Sequence, residues 1–290
     1  MDVYGRAALH GAPRWLYAWA SEPAPEPGPE HRDVLVVAYG LVRSVSTLER
    51  TMASFAEHAP RGARLSVAAQ CARTECAAAY ALLNRSRPQT LTLTCRAPAP
   101  PPPRRVCAAV NASATRGAQH AAYYSAHRAL VALLDWDADA VVLWRLDTEL
   151  HAPIDVRALA PWAGCRDCVH VPWMQHGRML NDRFSYGSAG AMLRYERALV
   201  AHMERRCAYG EEAALEAVRA SRLRVAFTRA RVVRVRADGY VPDVDQAIVL
   251  GRIPARSWMR AINTLSPQLR CRPHAAPSPL CTLTNRTPCR

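Results

Sequence analysis

Short apolar runs of strand type, set between segments whose apolar residues recur at helical spacing, limit this chain to a layered α/β fold. DVLVVAY (Asp33 to Tyr39), RLSVAAQ (Arg64 to Gln70), TLTLTC (Thr90 to Cys95) and AVVLWRL (Ala140 to Leu146) have strand length and composition. After the first, Val45, Leu48, Met52 and Phe55 share one helical face, and Ser46 with Glu49 fits a capping box. An Ala-rich run to Leu83 reads as a second helix. A third spans Gly117 to Leu134, with Tyr123, Ala126, Leu130 and Leu133 on one face. CVHVPW and RVVRVRADG read as later strands, and Ala189 to Arg206 and Glu211 to Ala220 as helices. Strands alternating with helices predict an α/β fold with a mostly parallel central sheet covered by helices.

The 290 residues suit one large domain with appendages. SEPAPEPGPE (Ser21 to Glu30) excludes regular structure. Residues 1–32 are therefore expected to form a flexible Pro-rich segment, 33–240 the folded domain, and 241–290 an irregular tail containing Cys271, Cys281 and Cys289. The Pro-rich stretch Ala97 to Pro103 lies between Cys95 and Cys107, a pair whose disulfide would close that loop, although spacing does not fix connectivity.

The formal charge of +14 points towards anionic partners. All 38 basic residues are Arg, spread along a chain rich in Ala and Pro, without the aromatic-interleaved stripe of a nucleic-acid surface. No nucleic acid is expected, and no apolar run in residues 1–30 is long enough for an anchor or signal. Ten cysteines and the sequons at Asn84, Asn111 and Asn285 favour a secretory or Golgi lumen, where disulfides persist.

VVLWRLDTEL (Val141 to Leu150) carries the strongest chemical signal: an apolar strand that ends in Asp147-Thr148-Glu149. In extended geometry the two carboxylates point to one side, where they suit Mn²⁺ or Mg²⁺. The alternative is a solvated acidic strand end. His151, His170 and His176 are candidate additional ligands or ordinary polar residues. Cys165 and Cys168 form a C-x-x-C without a second pair at zinc spacing, so a local disulfide or free thiols is the better reading. Walker A, G-x-S-x-G and H-E-x-x-H motifs are absent.

This segment resembles the metal-binding D-x-D strand of GT-A glycosyltransferases. WRLDTEL is similar to the R-x-D form of an algal, plant and viral group of glycosyltransferase-like proteins. Three other segments resemble that group in the same order: VVAYGLVRSVSTLERT (Val36 to Thr51), NDRFSYGSAGAMLRY (Asn181 to Tyr195), and Gly210 to Gly239 with its R-x-D-G turn. Glu149 stands where the second Asp is usual. The resemblance implies a GT-A, Rossmann-like nucleotide-sugar domain over residues 33–240. It would transfer sugar from a nucleotide-diphosphate sugar to a glycan, protein or lipid hydroxyl with Mn²⁺ or Mg²⁺.

Residue by residue, the resemblance implies Asp147 and Glu149 as metal ligands, and Gly40, Arg43, Arg145 and Asp147 beside the nucleotide sugar. It implies Asn181, Asp182, Arg183, Tyr186 and Glu212 around the sugar or acceptor, with Asp182 as general base or sugar-hydroxyl acceptor. Arg43 is otherwise an exposed Arg, Asn181 and Asp182 otherwise a helix N-cap, and Glu212 otherwise a helix-capping residue. Two rival functions remain open. YGLVRSVSTL superficially resembles a sulfotransferase phosphosulfate loop without its glycine and paired threonines, and a non-catalytic carbohydrate- or polyanion-binding protein could share the fold.

Overall fold

A computed structural model of the chain describes residues 33–95, 114–133, 137–154, 166–172, 180–206, 210–228, 230–239, 241, 269–272 and 280–283. The expected segment 1–32, Cys107 and His176 lie outside these residues.

Strands β1 (Val34–Val42), β2 (Arg64–Cys71) and β3 (Thr90–Thr94) are followed by β4 (Ala140–Arg145) and the short β5 (Thr148–Leu150). Next come β6 (Cys168–Pro172), β7 (Phe184–Ser188), β8 (Arg224–Thr228), β9 (Val232–Arg234), β10 (Leu269–Arg272) and β11 (Leu280–Leu283). The helices are α1 (Val45–His58), α2 (Cys76–Arg85), α3 (Ala114–Leu133), α4 (Ala189–Arg206) and α5 (Gly210–Ser221).

The main sheet runs β10-β11-β8-β6-β7-β4-β1-β2-β3, and β5 pairs with β9 in a second small sheet. The seven-stranded portion from β8 to β3 is mostly parallel, and β7 is its antiparallel member, paired with both β4 and β6. The expected α/β class therefore holds. The tail is not wholly irregular, because β10 and β11 form an antiparallel pair that joins the sheet at β8.

Strand period two divides the core. Leu35, Val37 and Tyr39 of β1 face a cluster with Leu130 of α3, Met192, Tyr195 and Leu199 of α4 and Ala213 to Val218 of α5. Val34, Val36 and Ala38 face the opposite cluster, with Leu48 and Met52 of α1, Leu83 of α2, and Leu150 and Val232 of the small sheet. Both sheet faces are thus sealed, which explains why β1 reads as an unbroken apolar run. Each fully buried Leu or Val side chain contributes about 1.5–3 kcal/mol.

Helix α1 starts earlier than the expected capping box. Ser44 is its N-cap, with its hydroxyl accepting from the Thr47 N–H at 3.2 Å, whereas Ser46 is exposed. Ser44 also donates to the Ala237 carbonyl, so the cap ties α1 to the loop after β9. That long-range partner is invisible to a local motif. The Cys95 pairing also differs from the expected one: Cys95 is bonded to Cys76 at the start of α2, with their Cα atoms 5.7 Å apart. Cys168 is disulfide-bonded as well, and Cys71 is free and buried. Among the described residues no helix is long and apolar enough to cross a membrane.

Candidate functional site

The chain lays β1, β2 and β3 side by side, then returns to place β4 on the other flank of β1. Such a reversal opens a crevice at the carboxyl ends of the two diverging strands, where ligands of open α/β sheets bind. Arg43 lies just beyond β1, and Arg145 ends β4, in register with Tyr39. The turn after β4 carries Asp147, whose carbonyl accepts from the Val235 N–H and so fixes the turn to the segment after β9.

Asp147 is the centre of an arginine cluster. Arg145 grips it with two charge-assisted bonds, Nε to Oδ1 at 2.9 Å and a terminal nitrogen to Oδ2 at 2.7 Å. Arg43 Nε donates to Oδ2 at 3.1 Å, and Arg234 Nε lies 3.6 Å from the same oxygen. Burial opposes ionisation of Asp147, but Arg145, with Arg234 and Arg43 behind it, prevails and holds the carboxyl well below the usual carboxylate range. The remaining Arg145 terminal nitrogen reaches Asp182 Oδ2 at 3.0 Å. One buried guanidinium thus joins the acidic turn to Asp182, and these two carboxylates raise the Arg145 pKa despite burial.

The Asp182 backbone is held separately. Asn181 Oδ1 accepts from the Arg183 N–H at 2.9 Å, an Asx turn, and the Asp182 carbonyl accepts from Tyr39 Oη at 2.8 Å. Tyr39 packs edge-on against Tyr123 and His127, and His127 is bound to Glu196 at 2.6 Å deep in the core. The N-cap alternative for Asn181 and Asp182 does not hold. Helix α4 begins at Ala189, where Ser188 Oγ accepts from the Ala191 N–H.

Helix α5 closes the site. A Cβ on Gly210, its first residue, would overlap the Asp182 carboxylate and come within 3.1 Å of Tyr123 Cζ. Gly210→Ala is therefore expected to destabilise the fold by about 1–3 kcal/mol as Asp182 is forced from Arg145. Without that clash, Ala in a helix would stabilise by up to about 1 kcal/mol, so the sign of the shift in the urea midpoint decides.

No protein-family model matches this chain, and a comparison with curated proteins found no match.

The structure brings Arg43, Arg145, Asp147, Asn181, Asp182 and Arg183 together and separates others predicted with them. Tyr186 is not at the site. It is a β7 core residue, stacked on His170 with ring centroids 4.7 Å apart, because its strand position faces the α1 side of the sheet. Glu212 is exposed, and its neighbour Glu211 is half-buried near Asp182. Burial, then Asp182, raise the Glu211 pKa, against the nearby Arg183, Arg145 and Arg234. Helical phase is the missing signal: it separates adjacent residues by about 100°, and only the packed position of α5 tells which one faces inward. Gly40 lies within β1 at φ +109°, a conformation that favours glycine, with open space around its missing Cβ. Arg234 was not predicted individually. Burial and Arg145 push its pKa down to about 10, so it remains charged at neutral pH.

Asp147 and Glu149 do not form one ligand pair here. The chain turns between β4 and β5, and Glu149 on β5 is held by Arg50 at 2.7 Å and His151 at 3.3 Å instead. Among the described residues, no three His, Cys, Asp or Glu side chains gather into a group that would hold a metal ion. A divalent cation at Asp147 would have to displace the Arg145 fork and sit among three guanidinium groups. Each unit-charge contact near 4 Å costs about 4 kcal/mol at an effective dielectric constant of about 20. The residues as arranged fit an anion and do not fit Mn²⁺ or Mg²⁺.

Proposed function

We propose that this chain is a nucleotide-sugar-dependent glycosyltransferase of GT-A type, moving a sugar from a nucleotide-diphosphate donor to a hydroxyl of a glycan, protein or lipid. One observation carries the reading. The four segments with family resemblance, far apart in sequence, each contribute to one cluster at the switch point: Arg43, Arg145 with Asp147, Asp182, and Gly210 with Arg234. An arginine cluster at the carboxyl ends of the strands suits a diphosphate and the negative charge that grows on it as the sugar leaves. Asp182, beside it, is positioned to accept the proton of the attacking hydroxyl or to hold a sugar hydroxyl.

A thermal-shift screen tests this. A donor at about a hundredfold its Kd adds about 2.7 kcal/mol of apparent stability, so stabilisation by one nucleotide sugar over free sugar is the expected result. Stabilisation by adenosine 3′,5′-bisphosphate alone would move the assignment to a sulfotransferase. Stabilisation by glycans but by no nucleotide would support a binding protein without turnover.

A further inference from the structure

The donor diphosphate calls for positive charge, and the site supplies it with arginine. Arg43, Arg145 and Arg234 approach one carboxylate from three different elements, at 3.1, 2.7 and 3.6 Å. Their side chains are only 20%, 11% and 24% exposed. Arg183 adds a fourth guanidinium within electrostatic reach of Arg234 and Glu211. Against these stand the carboxylates of Asp147 and Asp182, with Glu211 at the margin. The cluster therefore carries excess positive charge, which attracts a diphosphate and repels a divalent cation. Helix α1 strengthens this polarity, since it starts at Ser44, next to Arg43.

We infer that the donor diphosphate is bound directly by Arg43, Arg145 and Arg234, without a divalent cation, and that Asp147 arranges these guanidinium groups instead of ligating metal. This rests on the nucleotide-sugar reading and gives its site a specific chemistry. Asp147 is then a positioning residue: its carboxylate aligns the arginines, and the diphosphate oxygens take over part of its contacts on binding. The known logic of an acidic strand end, two carboxylates sharing one metal, predicts the opposite response to nearly every perturbation of the site.

Calorimetric titration of UDP, GDP and inorganic pyrophosphate into the full chain, in EDTA and again in Mn²⁺, tests the inference. Binding of at least one of the three in EDTA, changed less than about twofold by Mn²⁺, is the expected result. Arg43→Gln should weaken that binding about tenfold or more, as loss of a charge-assisted contact does. Asp147→Asn should still bind in EDTA, within about tenfold of the parent, because the amide oxygen keeps one acceptor for the arginines and the loss of alignment is offset by removal of a competing charge. Should Asp147→Asn fail to fold, the EDTA and Mn²⁺ titrations of the parent chain decide by themselves. Binding seen only with Mn²⁺ and lost in Asp147→Asn overturns the inference and leaves the glycosyltransferase reading standing. Absence of binding in both buffers overturns it too, and a parallel assay of sugar release from nucleotide sugars with Mn²⁺ shows whether the transfer reading falls with it.

Discussion

Arg145→Leu is expected to remove about 3–5 kcal/mol from the unfolding free energy at neutral pH, the cost of stripping a buried ion network of its central charge. Arg145 makes both short bonds to Asp147 and the bond to Asp182, whose side chains are 5% and 7% exposed. Leucine would fill much of the space and answer neither carboxylate. The pH dependence gives a second readout. In the parent chain the Asp147 pKa is depressed, so its stabilising effect is present above the unfolded carboxylate value and is lost only as pH falls through the much lower folded value. In Arg145→Leu the main depressing charge is gone and burial raises the folded pKa, so that stability is lost as pH rises. The gap between parent and variant should therefore be widest near pH 7 and narrow below about pH 4. Urea unfolding across this range measures it, and a uniform loss below about 1 kcal/mol would show that Arg145 is not the hub of the site.

On the transferase reading proposed above, Asp182→Asn should lower turnover on the order of a hundredfold or more, the usual cost of losing a general base. The structure makes the substitution informative, because Asn is nearly isosteric and its amide oxygen can still accept from Arg145, while the Asn181 turn and the Tyr39 bond to the backbone carbonyl are untouched. A merely structural Asp182 predicts a lower melting temperature with turnover per folded molecule unchanged. A steep fall in kcat with little change in donor affinity separates the chemical role from the structural one, and unchanged kcat would return Asp182 to scaffolding.

The strand positions and the acidic turn were legible because they depend on local pattern. β1 and β4 are apolar on both faces, and Asp147 lies two residues beyond the end of the second. What the acidic turn would touch was not legible. Asp147 reads as a metal ligand until β9 brings Arg234 and the end of β1 brings Arg43, both distant in sequence. The same limit explains Tyr186, which lies within the most specific motif yet faces the core, since β7 was not recognised as a strand and its alternation was unread. It also explains Cys95, whose partner on α2 is adjacent only because β3 lies beside β2. Beyond Tyr240, β10 and β11 are four residues each, too short for a periodic signal.

The strand order also bears on how the molecule assembles. β1 can pair with β2, and β2 with β3, through short parallel crossovers, whereas Val34 meets Ala140 only after β2, β3 and α3 have been passed. Long-range parallel pairing of this kind forms slowly, because the closure entropy is lost before the contacts compensate. The arginine cluster needs that late return and then β9 as well, so a folding intermediate limited to β1, β2 and β3 holds Arg43 but none of its partners. On the proposed reading, affinity for an anion would then appear late in folding, and a chain shortened just before Arg234 would lose that guanidinium while keeping seven of the nine strands of its main sheet.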